Sequence, residues 1–101
     1  MANIELTHKT ALSAEEIKQK AEGLIRDALV EYQDVVSDVR QEWKDDTLLF
    51  SFKAMGFLIS GETKIQDHAL NMKAKLPLAA MFFRRKIEER FREEAEKLFP
   101  A

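Results

Sequence analysis

Apolar and polar residues alternate along this chain with two periods, and the places where the period changes mark its elements. Residues 3–7 set Ile4 and Leu6 against Glu5 and Thr7, the period-two pattern of a short strand with one buried face. Ser13, followed three residues later by Glu16, forms a capping box in which each side chain satisfies an orphan amide at a helix start. Ile17, Ala21, Leu24, Ile25, Ala28, Leu29 and Tyr32 then recur at spacings of three and four, which predicts a helix over residues 13–32 with one apolar stripe. Gly23 lies inside that helix at a cost of about 1 kcal/mol against alanine, and a close approach of helix to sheet would account for it.

After Asp34 the pattern becomes β-branched and alternating. Val35, Val39 and Trp43 are expected on one face, with Asp38, Arg40 and Glu42 on the other. Lys44-Asp45-Asp46 is a break of hairpin length, after which Leu48, Phe50 and Phe52 alternate with Ser51 and Lys53. Met55-Gly56 gives the next turn, where Gly56 can take a positive φ without steric penalty. Phe57, Ile59, Gly61, Thr63 and Ile65 share a face, and beyond the turn at Gln66-Asp67-His68 so do Leu70, Met72, Ala74 and Leu76. Pro77 ends that strand and suits the start of a second helix, whose stripe is Ala80, Phe83, Ile87, Phe91, Ala95 and Leu98.

Four consecutive strands joined by tight turns must be antiparallel neighbours, since parallel pairing needs long crossovers. The expected fold is therefore α+β with element order β-α-β-β-β-β-α. It is a four-stranded antiparallel meander with both helices on one face and the N-terminal segment available as a fifth, edge strand. Residues 1–101 make one domain. Leu49 and Leu58 point to the opposite face, which is either polar surface with scattered leucines or part of a partner interface.

Composition narrows the chemistry. Sixteen basic against eighteen acidic residues leave a net charge of -2, so no overall field holds a polyanion and nucleic acid is not an expected partner. The absence of cysteine removes disulfides, thiolate nucleophiles and cysteine-ligated metals. The N-terminal residues show no secretory pattern, and the longest apolar run, residues 76–83, is less than half of a membrane span of roughly 18 residues. A cytoplasmic location follows as an expectation.

The residues that might carry catalysis are scattered. His8 and His68 are far apart in sequence and show no metal-ligand spacing; Asp45 and Asp46 read as a turn rather than an acid–base pair. Ser13, Ser37, Ser51 and Ser60 lack a nucleophile-elbow context, and Gly56 and Gly61 precede no phosphate-binding helix. No cofactor and no enzymatic activity are expected. Two apolar features remain. Trp43, Phe50, Phe52, Phe57 and Met72 lie on or beside the inward face and could line a cavity between sheet and helices, although inward aromatics are commonly core. Leu78, Met81, Phe82 and Phe83, followed at once by Arg84 and Arg85, crowd three large side chains onto consecutive helical steps, so at least one must leave the core stripe. An exposed aromatic beside basic residues can contact an apolar or anionic surface, and the competing reading is packing in the seam or a homodimer contact.

The order Trp43-Lys44-Asp45-Asp46-Thr47-Leu48-Leu49-Phe50-Ser51, then Gly56-Phe57-Leu58-Ile59, then Leu76-Pro77-Leu78-Ala79-Ala80 before a charged helix with Ile87 and Phe91, resembles the bacterial polyhydroxyalkanoic acid system proteins. These are small proteins often encoded near phasin and polyester-storage genes. The resemblance implies a setting, the storage granule, with the granule surface or phasin-like proteins as partners. Two features depart from the family pattern: Met55-Gly56 stands in place of a more polar turn, and the second helix opens with Met81-Phe82-Phe83. A small apolar-ligand module resembling a truncated helix-grip domain is the alternative.

Overall fold

A computed structural model describes residues 2–101, and the side chains of all of these except Ala2, Glu31 and Phe83. The capping box forms as expected: Ser13 accepts from the Glu16 amide, while the Ser13 backbone N–H donates to Glu16 Oε1 at 3.1 Å. It opens helix α1, Ala14–Leu29, which continues as a 3₁₀ turn over Val30–Tyr32. Ile17, Ala21, Leu24, Ile25 and Ala28 of the stripe read from the sequence are buried, while its last members, Leu29 and Tyr32, are half-buried.

Strands β1 (Ala2–Lys9), β2 (Val36–Lys44), β3 (Thr47–Ala54), β4 (Phe57–Gln66) and β5 (Ala69–Leu76) form one antiparallel sheet in the order β1-β5-β4-β3-β2. The meander is as expected, and β1 supplies the fifth strand at the edge beside β5, with Ile4 opposite Ala74 and Leu6 opposite Met72. Each hairpin closes through a two-residue loop, with positive φ at Asp45, at Met55 and Gly56, and at His68.

Alternation along β3, β4 and β5 turns Leu48, Phe50, Phe52, Ile59, Leu70, Met72 and Leu76 into a buried layer, which both helices cover from one side. Helix α2, Arg84–Leu98, buries Phe91 and Ala95 there, and Phe50 lies between Phe52 and Phe91 with ring centroids 6.4 Å from each. Two columns of aromatic and aliphatic side chains thus interdigitate between sheet and helices.

Three expectations need correction. In β2, Asp38 takes a φ of 53° and, with Val39, forms a bulge that resets the register between Ser37 and Arg40. Val36 rather than Val35 then pairs with Ala54, Gln41 and Trp43 face the core side opposite Phe50 and Leu48, and Val35 and Val39 are both exposed. Second, the residues after Pro77 are not α-helical at first. Leu78–Phe83 is a 3₁₀ segment, entered by a bond from the Ala80 amide to the Pro77 carbonyl, and α2 begins only at Arg84. Third, Gly23 faces Leu98 of α2, not the sheet, and a Cβ there would meet its neighbours at ordinary van der Waals distance, 3.6–3.9 Å.

Candidate functional site

Where α1 ends, β2 begins, the β3–β4 hairpin turns and the 3₁₀ segment enters α2, the packing leaves an apolar cleft of about 240 Å³. Its origin is steric. Ala28 near the end of α1 and Ala54 at the end of β3 are small, so less volume is filled in front of the buried Phe52 and Phe91, which also line the cleft. Leu29, Tyr32 and Val36 complete one side and Ile87 the other. The hairpin wall is held in place by backbone bonds, Met55 N–H to the Val35 carbonyl and Val35 N–H to the Tyr32 carbonyl, both 2.9 Å.

The rim carries apolar groups that water would normally exclude. Met55 is 61% exposed and Phe82 76% exposed, and Val35 stands beside them. Met55 also holds a φ of 52°, a region that an unbranched apolar residue seldom occupies outside a turn. Among the described residues, the charged groups lining the cleft are Lys86 and Arg90, both cationic. Arg90 is engaged with Glu93 at 3.4 Å and Glu94 at 3.2 Å, whereas Lys86 forms no ion pair among the described residues.

Just outside the cleft, Leu78 is 71% exposed on the same 3₁₀ segment as Phe82. Met81 is half-buried and Ala80 is buried, as expected when successive side chains step by about 120° around a three-residue turn. Phe82 thus leaves the core stripe, as the consecutive helical steps required of at least one residue. Arg84 pairs with Glu88 at 2.9 Å, one turn on, and Arg85 is exposed. The side chain of Phe83 lies outside the described residues.

A family model described as "Putative polyhydroxyalkanoic acid system protein" matches residues 4–99. The chain belongs to this family. Comparison with curated proteins and with solved structures gives no match. The family match runs from β1 to Phe99, so the cleft and the exposed 3₁₀ segment both fall inside it. One residue from each of the two departures noted in the sequence, Met55 of Met55-Gly56 and Phe82 of Met81-Phe82-Phe83, lies on the rim of this one cleft. In this polyhydroxyalkanoic acid system protein, the apolar turn and the apolar helix start therefore meet at one cleft.

The residues proposed to line a cavity divide. Phe52 lines the cleft, while Phe50 and Met72 are packed in the core, Phe57 is half-buried and Trp43 lies elsewhere. Trp43 donates its indole N–H to Glu22 Oε1 at 2.8 Å and so ties β2 to α1. The histidines also hold the chain together: His8 Nε2–H donates to the Phe99 carbonyl at 2.7 Å, and the His68 ring meets the Ala11 carbonyl at 3.1 Å. Asp67 caps α1 from outside by accepting the Ala14 amide at 2.8 Å, and Asp46 pairs with Lys18. No helix among the described residues is long and apolar enough to cross a membrane.

What sequence reading missed was the cleft itself. Val35, Ala28 and Ala54 are ordinary residues in their own segments, and only the meeting of three chain reversals makes them neighbours. The available signal was Met55, an apolar residue in a two-residue hairpin loop where polar residues and glycine prevail.

Proposed function

We propose that this chain is a non-enzymatic, cytoplasmic accessory protein of polyhydroxyalkanoate storage that associates with the granule surface or with granule proteins. Phe82 and Leu78, the two most exposed large apolar side chains among the described residues, carry this reading, because they stand on one short 3₁₀ segment beside the exposed Arg85. Each would gain about 1.5–3 kcal/mol on full transfer from water to an apolar surface, enough together to hold a small protein reversibly. Family membership supports the setting, and the exposed pair supplies the means.

Substitution of Phe82 by Asp removes one of these groups and adds a hydrated charge. The F82D protein is expected to lose at least about tenfold in partition onto polyester beads with an unchanged circular dichroism spectrum. Undiminished binding by folded F82D overturns the proposal. A homodimer formed through the same segment would instead appear as concentration-dependent sedimentation that F82D abolishes.

The cleft favours a second reading, a small apolar-ligand module comparable to a truncated helix-grip domain. Its lining would be Phe52, Ala28, Ala54, Val36 and Ile87 rather than the wider set of inward aromatics.

A further inference from the structure

We infer that the cleft takes the alkyl chain of a free medium-chain carboxylate, with Lys86 holding the carboxylate at its mouth. This deepens the ligand-binding reading and does not depend on granule contact. Three observations lead to it. The volume, about 240 Å³, matches about eight methylene-sized groups if each occupies roughly the 30 Å³ of a liquid water molecule. That is larger than any single side chain needs.

The lining is almost wholly carbon, so a polar occupant would lose its hydration without replacement, and an alkyl chain would not. Among the described residues the charged lining is one-sided, two cations and no carboxylate, and of the two Arg90 is already paired with Glu93 and Glu94. Lys86 is exposed, sits one helical turn beyond Phe82 and has no ion pair among the described residues. An anion at one end of an apolar chain is the occupant that satisfies both the wall and the rim.

The geometry also sets a chain-length rule. Each methylene brought out of water contributes about 0.8 kcal/mol, close to a fourfold gain in affinity, until the cleft is full. Affinity should therefore rise steeply from butanoate to octanoate and flatten beyond about ten carbons. The charge makes binding weaker with added salt and selective against a cationic head.

The test is a titration of the ¹⁵N-labelled protein with alkanoates below their micelle concentrations. Octanoate is expected to move the amide signals of Ala28, Leu29, Val36, Ala54 and Ile87, with the chain-length dependence above. Lys86→Glu, a change at an exposed helical position, should weaken octanoate about tenfold, and octyltrimethylammonium should bind the native protein at least tenfold more weakly than octanoate. Leu78→Asp, outside the cleft, should lose bead partition yet keep octanoate, which separates this inference from the granule contact. The inference is overturned by absence of octanoate shifts at millimolar concentration, by equal binding of the cationic analogue, or by an unchanged affinity in K86E. It is also overturned if dilution alone reproduces the shifts, since a second copy would then fill the cleft, or if phosphatidylglycerol vesicles displace these signals and octanoate does not.

Discussion

Gly61 and Gly23 occupy opposite physical situations, although each interrupts a regular element. A Cβ on Gly61 would lie 2.2 Å from the Lys73 carbonyl oxygen, 2.6 Å from the Phe50 ring and 2.9 Å from the Ala74 Cα. Two of these are backbone atoms of the neighbouring strand and cannot move without opening the β4–β5 pairing, so Gly61→Ala is expected to cost at least about 2 kcal/mol. Around Gly23 a Cβ meets only ordinary contacts, and Gly23→Ala is expected to add about 0.5–1 kcal/mol through helix propensity alone. Urea denaturation of the two variants checks both signs, and a neutral Gly61→Ala would mean that the strands separate easily. The alternation of β4 placed Gly61 on the inward face from sequence, but the closeness of Phe50 and β5 depends on sheet twist, which no local pattern records. The helix–sheet explanation of Gly23 fails because the neighbour is Leu98, seventy-five positions away along the chain.

Among the elements, α1 was the most legible, and its start also confers a pH dependence. The backbone N–H of Ser13 donates to the Glu16 carboxylate, and the Ser13 hydroxyl does so as well, each at 3.1 Å. Both favour the ionised form and hold Glu16 below its ordinary value of 4.5. Since the folded value is the lower one, this contribution to stability is present above 4.5 and fades as the pH falls through the folded value. Glu16→Gln keeps a hydrogen-bonding side chain but cannot titrate. The stability gap between native protein and E16Q should accordingly narrow as the pH is lowered from neutrality, read as urea midpoints at successive pH values; a gap constant with pH would remove Glu16 from the acid response. The elements read less well share one cause. The bulge at Asp38 lies opposite Phe52 of β3 and the 3₁₀ start at Leu78 buries Ala80, so both are settled in tertiary contacts, while the local patterns were compatible with plain strand and plain α-helix.

At the scale of the molecule, α2 spans the sheet with the cleft at its start and an anchor at its end. Phe99 is fully buried, its carbonyl accepts from His8 and its ring lies 6.4 Å from the imidazole, while the Pro100 carbonyl accepts from the Thr10 hydroxyl at 2.6 Å and the Ala11 amide at 3.0 Å. These contacts bind the far end of α2 to the β1–α1 junction, so unfolding of the sheet edge and of the two helices is expected to be coupled. Sequence periodicity ended its stripe at Leu98 and gave Phe99 no role, because a residue just past a helix belongs to neither period. Phe99→Ala would leave a cavity in a region fixed by these bonds, and such a truncation costs about 3–5 kcal/mol, a large part of the roughly 5–15 kcal/mol typical of a whole domain. The loss should be global: amide exchange in β1 and β5 accelerates together with that in α2, and the urea midpoint falls without a second transition. Were the anchor only local, the same variant would fray α2 and leave exchange in the sheet unchanged, and the cleft end of the helix would then be free to move independently of the core.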